Sequence, residues 1–470
     1  MRLSLWTLLA SSALTLSGTT AAVRNPNSFR PEDIIDRDVV ILGGGATGTY
    51  AAVQLRRRGH SVALVEQTSR LGGHASTVYL PNGGYVNYGV EGYFNHDITK
   101  EFFALLDVDY EPLLPGSWLT KHIDFRTGKR VWPSSDIATT AVSAVLYRAA
   151  IEQFDYLAMG AYYFPDKVPE VLLRPFREFV AKHNLQRAVQ LIFMFSQNVG
   201  NILDTPLLYV IMNFGIPQIH ALLEGGYIKP KNGTDVLFNK AAIYIDEANN
   251  ILYDSTAVQV TRDSAGVQAI VKNAKTGSQK LIRAKKLLVA HPPTLPKLQG
   301  FDLRAEETSL FAKWTYKTYY AAAVRSPSLP EGFNLLNTYP ENRPGGTPTT
   351  PFQWQLEYSG VPGYYMSKMV GETNFTEAEA RQLVIDDIKR MSSAGTFEME
   401  AGEEPELVAF ISHSPETMMV HVDEVREGFY KKLYGLQGLH STYYTGYTFC
   451  TDYSTVLWNY TASVIDMMGL

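Results

Sequence analysis

The sequence has almost no cysteine. Of 470 residues only Cys450 is one, which excludes an intrachain disulfide, a four-cysteine zinc site and haem attachment through a cysteine pair. An excess of positive charge is also missing. With 42 Lys and Arg against 47 Asp and Glu, the net charge is −5, so the basic face of a nucleic-acid-binding protein is not expected. There is no internal repeat, no low-complexity stretch and no apolar run long enough to cross a bilayer as a helix. Hydrophobic residues make up 45% and charged residues 19%. That ordinary balance excludes long disorder, collagen and coiled coil. Stability has to come from a large packed core, which a chain of this length can build.

The first residues read as a removable leader. Arg2 supplies a positive start, residues 3–16 are mostly apolar, and Thr20, Ala21 and Ala22 make a small-residue cleavage site. This is the pattern of a secretory signal peptide over residues 1–22; a membrane anchor or a buried N-terminal helix is the other reading. Cleavage after Ala22 leaves 470 − 22 = 448 residues and, with Arg2 gone, a charge of −6. A secreted or secretory-lumen protein is therefore expected. Sequons at Asn232, Asn374 and Asn459 fit that route. Thr376 and Glu379 form a capping box that predicts a helix over 377–391.

Chemistry begins at residue 38. Residues 38–42, Asp-Val-Val-Ile-Leu, read as a buried parallel strand. They lead into Gly43, Gly44, Gly45, Ala46, Thr47 and Gly48, then a helix pattern over 49–58, a second strand over 61–65, and Glu66. Gly43 permits a tight turn, Gly45 lets the backbone approach a pyrophosphate, and Gly48 lets helix and strand pack closely. The helix start offers free N–H groups to phosphates. Glu66, 18 residues beyond Gly48, stands where a carboxylate accepts from ribose hydroxyls. The order strand, Gly-x-Gly-x-x-Gly, helix, strand, acid is a dinucleotide-binding fingerprint.

The following residues narrow the cofactor. Arg70, Leu71, Gly72, Gly73 and His74, then Asn87, Tyr88, Gly89, Val90 and Glu91, resemble the flavin-containing amine oxidase superfamily. The resemblance implies FAD, with the Gly89–Val90 segment running beside the flavin. His74 stands where that family has arginine, and Asn87 where it often has aspartate. His74 is either a donor to the cofactor or a loop histidine. Similar segments recur later. The strand over 256–260 implies a backbone contact from Val258 to adenine. A buried strand over 286–290 stops at Pro292 and Pro293, and residues 441–446 look like the last FAD strand, ending at Gly446. Tyr447 then occupies a slot that often holds an acid. Val456, at the start of a helix over 456–467, falls where amine oxidases place an aromatic facing the flavin, so their two-aromatic cage is incomplete. The block 429–460 resembles a smaller group that includes flavin polyenoic fatty acid isomerases and β-cyclopiazonate dehydrogenase, which act on hydrophobic substrates bearing an acidic group.

The expected fold class is α/β: a Rossmann-type FAD-binding domain with an inserted α+β substrate domain, a mixed sheet flanked by helices. The FAD domain is assigned to 36–96, 226–300 and 425–470, and the substrate domain to 97–225 and 301–424. Within the latter, 170–183, 185–196 and 206–214 carry helical apolar stripes, and 318–324, 352–356 and 364–369 alternate like strands. The helices are either plain core or walls of an apolar tunnel.

Two lysines are candidates for the chemistry. Lys317 lies where the resemblance implies a lysine near the flavin N5, and is otherwise a solvated strand lysine. Lys121 lies where the isomerases are expected to clamp a carboxylate, and is otherwise a surface lysine. No metal site is expected, and Cys450 is expected to be a buried, inert thiol. Three functions follow. The first is an FAD-dependent oxidoreductase taking hydride from a hydrophobic, amine- or indole-bearing metabolite and passing electrons to oxygen or another acceptor. The others are a redox-neutral flavin isomerase of an unsaturated acid, and a non-catalytic protein on a degenerate flavin fold.

Overall fold

The first expected strand runs longer than its apolar core, from Ile34 to Leu42. Val39, Val40 and Ile41 are fully buried, as a strand covered on both faces requires. This computed structural model describes residues 23–113, 119–133, 137–246 and 249–470; the expected signal peptide lies outside them. Val62–Val65 pairs parallel on one side of Ile34–Leu42, and Gln279–Val289 on the other, so that Leu42 faces both Val65 and Val289. Ile251–Leu252 adds a parallel edge beside Val62–Val65.

The long strand Gln279–Val289 is shared on its far side. Its first part pairs antiparallel with Val267–Asn273, which pairs with Ser255–Arg262. Its last three residues pair parallel with Thr442–Tyr444. Five parallel strands therefore end at one edge, and the turns beyond Leu42, Val65, Leu252, Val289 and Tyr444 cluster there. This is the edge at which open α/β sheets bind ligands. Helix Ala46–Arg57 and helix Ser454–Met467 cover the sheet together. Trp458 stacks against Tyr50 and Tyr93 at 5.8 and 5.3 Å between ring centres, and its Nε1 donates to the Ala46 carbonyl.

A second sheet of eight strands comes from the middle of the chain. Thr315–Arg325 is flanked by Glu406–Ser412 and Tyr364–Gly371; Phe352–Tyr358, Phe333–Asn337, Leu119–Asp124 and Lys129–Arg130 follow outward. Glu416–Met419 pairs with the start of Thr315–Arg325. Helix Glu377–Ser393 seals one face, burying Ala380, Val384, Ile388 and Met391 against Ala322, Leu356, Tyr365 and Met369. Its capping box forms as expected: Thr376 Oγ1 accepts from Glu379 N, and Glu379 Oε2 accepts from Thr376 N at 2.8 Å.

The helical layer is more broken than its apolar stripes predict. The stretch 170–183 divides into a 3-10 turn, Glu170–Leu173, and helix Phe176–Lys182, because Pro175 has no N–H to continue the ladder. Every residue of helix Leu207–Asn213 is buried. Among the described residues no single helix is long and apolar enough to cross a membrane.

Candidate active site

Two cavities meet at the junction of the sheets. The outer one, about 910 Å³, follows the edge of the parallel sheet; the inner one, about 850 Å³, lies over the second sheet. His74, Val90, Asp452 and Ser454 line both.

The outer cavity gathers most of the fingerprint. Gly43 makes the turn at φ +105°. Gly48 is a true contact glycine: a Cβ there would fall 1.8 Å from the Gly43 carbonyl oxygen. Gly45 is different. A Cβ on it would meet only the Gly73 Cα, at 3.9 Å, because its open side is the cavity. Helix Ala46–Arg57 starts there with no side chain capping it, so its first N–H groups stay available to an anion. Glu66 is held on the wall by N–H groups of Gly44 and Thr68, each at 2.8 Å. A carboxylate has about four acceptor sites, so capacity remains for a ribose.

Arg70 spends its guanidinium on the loop itself, donating to the carbonyls of Leu71, Ala75 and Gly73. It thereby shapes the turn through Gly72, Gly73 and His74. Val90 N donates to the His74 carbonyl at 3.0 Å, and a Cβ on Gly89 would lie 1.9 Å from that same oxygen. The Gly89–Val90 segment is thus pressed along the cavity junction. Asn87 is structural: its Oδ1 accepts from Thr77 Oγ1 and Thr234 N.

Val258 sits on a β-bulge. Ala257 pairs with Val271 and Gln259 with Ile270, leaving Val258 without a partner in the ladder. The bulge frees its backbone on the cavity wall, as a backbone contact to a base requires. Gly446 lines the same cavity. The Tyr447 hydroxyl donates to the Pro415 carbonyl, so it is engaged within the protein rather than replacing an acid.

Val456 does not face either cavity. It is 5% exposed and packs where a Cβ on Gly160 would come within 2.4 Å of it. The helix begins at Ser454, and two residues on is a turn of about 200°; Ser454 and Leu457 face the cavity instead.

Neither candidate lysine lines a cavity. The Lys317 ammonium lies 2.6 and 2.7 Å from the two oxygens of Glu372, which hold it away from the junction; Tyr319, on the same strand face, reaches the inner cavity. Lys121 Nζ lies 3.5 Å from the centre of the Phe333 ring. Strand alternation points Thr120 into the cavity and Lys121 away. Cys450 is fully buried, and burial pushes its thiol pKa up.

The polar groups of the inner cavity come from elsewhere. Its walls are aromatic and apolar, with Met194, Phe195, Tyr227, Leu336, Trp354 and Met366. Into them project Glu91, Glu357 and Lys368, with Lys368 Nζ 3.2 Å from Glu91. A second bulge explains the arrangement. Between the pairs Gln353–Met369 and Leu356–Ser367, Trp354 and Gln355 together oppose Lys368 alone. Both therefore reach the cavity face beside it, with Lys368 Nζ 5.6 Å from the Trp354 ring centre. Burial, and then the Glu91 charge, push the Glu357 carboxyl up to about 8. Burial opposes the Lys368 charge, but Glu91 and its other neighbours outweigh this and keep it protonated. Buried Gln197 Oε1, Trp354 Nε1 and His413 Nε2 on these walls have no protein partner, so water or a polar ligand group is left to satisfy them.

At the junction the His74 ring stacks on His413, 4.1 Å between centres. His74 Nδ1 is 3.9 Å from Glu416 Oε2, and His74, Glu416 and Asp452 bring their polar atoms within 4.8 Å of one another. Asn198 Nδ2 donates to Glu416 Oε1 at 3.1 Å. Burial lowers the pKa of both histidines. Burial raises that of both acids, and the Asp452 charge adds to the effect at Glu416. The junction thus carries neutral imidazoles and a carboxyl pair that favours retaining a proton.

Of these residues only His74 and Glu91 fall in motifs. Lys368 had one available signal, a lysine inside an otherwise uncharged alternating strand. His413, Glu416 and Asp452 had none, since they converge only through the fold.

A dinucleotide groove opening onto a separate, ligand-sized buried cavity defines a cofactor-dependent oxidoreductase. Residues 41–107 match the family described as an NAD(P)-binding Rossmann-like domain. The chain is 40% identical over 451 residues to β-cyclopiazonate dehydrogenase of Aspergillus oryzae, covering 96% of this chain and 97% of that protein. It is 32% identical over 469 residues to the FAD-dependent oxidoreductase pigF of Monascus ruber, covering 98% of each. The fold is shared with a CLA-producing fatty acid isomerase from P. acnes, at TM-score 0.72 and 18% identity over 92% of this chain and 99% of that one. The chain belongs to the FAD-dependent oxidoreductases related to β-cyclopiazonate dehydrogenase. Its cofactor is FAD, and the open face at Gly45, the uncapped helix start and the bulge at Val258 fit it.

Proposed function

We propose that this enzyme takes hydride from a hydrophobic, amine- or indole-bearing metabolite of secondary-metabolite type, and that oxygen or another acceptor receives the electrons. The observation that carries this reading is the inner cavity: aromatic-walled, sized for a small molecule, and continuous with the cofactor groove at His74, Val90, Asp452 and Ser454. When bound, FAD supplies the two-electron chemistry. The chain supplies position and proton handling. Trp354, Tyr319 and Phe195 offer stacking surfaces. Loss of hydride from carbon leaves a proton to be taken from an adjacent N–H or O–H. Neutral His74 stands at the junction to accept it, with Glu416 beside its Nδ1. That a relative of this chain is named as a dehydrogenase supports oxidation over isomerisation.

Lys368, rather than Lys121, is the cation placed to hold an acidic group of the substrate. Below pH about 8, Glu357 is neutral and the Lys368–Glu91 pair balances. Above it, Glu357 ionises and adds a negative charge beside Lys368. Binding of an anionic group should therefore weaken as pH rises through about 8, and Glu357→Gln should remove that limb. Lys368→Met should raise KM by about tenfold or more, the worth of one charge-assisted contact, with FAD content unchanged. KM against pH, measured on a substrate found by flavin bleaching, checks both; a wild-type KM in Lys368→Met would remove the anchor.

A further inference from the structure

The outer cavity presents a charge problem. The diphosphate of FAD carries two negative charges, yet His74 stands where the superfamily has an arginine. Four basic side chains line the cavity: Arg70, His74, His291 and Lys297. Arg70 has its donors committed to loop carbonyls. His74 is kept neutral by burial, and burial brings His291 down to about 4. The fourth is Lys297. Among the described residues its ammonium has no ion-pair partner, and the nearby Glu66 charge favours its protonated form.

Topology puts Lys297 in place. Leu42 and Val289 end side by side in parallel strands, and Ala290 N donates to the Leu42 carbonyl at 2.9 Å. The loop beyond Val289 therefore leaves the sheet beside the glycine turn. It folds back through Lys297 N and Leu298 N, both bonded to the Thr294 carbonyl at 3.0 Å. Lys297 thus lines the same cavity as Glu66, His291 and His74, close enough that its charge acts on all three. Lys297 is itself solvent-exposed, so its long side chain is free to turn its ammonium into the cavity it lines.

We infer that Lys297 is the cationic contact for the FAD diphosphate, in the role that histidine at position 74 leaves open. The inference rests on FAD occupying the outer cavity. The test is FAD release from the purified holoenzyme, followed by flavin fluorescence at low and high salt, for wild type, Lys297→Met and Lys297→Arg. Lys297→Met should release FAD about tenfold faster or more at low salt and lose much of its salt dependence; Lys297→Arg should stay near wild type. Far-UV circular dichroism of the stripped proteins separates weak binding from misfolding, and Lys297→Gln replaces the Met variant if that one does not fold. Wild-type release from Lys297→Met overturns the inference, as does equal loss in Lys297→Arg, which would make the effect one of packing. A colourless wild type would instead overturn FAD occupancy itself.

Discussion

A Gly45→Val protein is expected to fold and to purify without flavin. Gly45 has φ −72° and ψ −165°, extended backbone that valine also adopts. A Cβ there meets no protein atom closer than 3.9 Å. What it fills is the cavity at the helix start, where the diphosphate must approach the N–H groups. Loss of the glycine cap costs about 1 kcal/mol of helix stability, small for a core of this size. Far-UV circular dichroism should be retained, while FAD per chain falls by about tenfold or more, since the clash forces the diphosphate off its donors. Gly48 is the wrong position for this experiment, because its Cβ would strike the Gly43 carbonyl at 1.8 Å and disrupt the turn. A yellow Gly45→Val protein with wild-type flavin content would mean that the cofactor does not use this face.

Arg262→Met should cost about 3–5 kcal/mol of stability, the range for breaking a buried ion pair from one side. The Arg262 side chain is 1% exposed and pairs with Glu307 at 2.8 Å and Asp302 at 2.7 Å. Burial disfavours the Glu307 charge, but Arg262, the Arg304 N–H and the Tyr444 hydroxyl outweigh it and hold the carboxyl below its usual range. A depressed carboxylate pKa adds stability that is present above its unfolded pKa and lost as pH falls through the folded one. Without Arg262, Glu307 is a buried acid with a raised pKa, and its sign reverses. The gap in melting temperature between wild type and Arg262→Met should therefore be wider at neutral than at mildly acid pH. A gap that does not change with pH would show that Glu307 is not the group left uncompensated. The network ties helix Ala305–Phe311 to strand Thr442–Tyr444, so the variant should also hold FAD less firmly.

The cofactor half was legible because its signals are local. The glycines at 43, 45 and 48, the strand before them and the acid at 66 depend on backbone conformation within one βαβ unit. The capping box at Thr376 is equally self-contained. Where local pattern met a distant partner, the pattern alone was insufficient. Lys317 occupies a plausible strand position, and only Glu372, just beyond the neighbouring strand Tyr364–Gly371, decides where its ammonium goes. Val456 was misplaced by helix phase, which depends on the first residue of the helix. The bulges at Val258 and at Trp354–Gln355 are properties of strand pairing, and they expose the backbone at one site and aim side chains at the other. The substrate site is therefore the least readable part: Glu357 and Lys368, His413 and Glu416, and Asp452 come from three separate stretches and share no motif.

The most direct test of the central claim joins the two cavities. Candidate hydrophobic metabolites would be mixed with the holoenzyme without oxygen while the flavin bands are recorded, and the product would then be weighed by mass spectrometry. The account predicts that a true substrate bleaches the flavin, that an acceptor such as oxygen restores the colour, and that the product is lighter by two hydrogens. A product of unchanged mass, formed with no acceptor and no lasting bleaching, would contradict it and make the protein an isomerase.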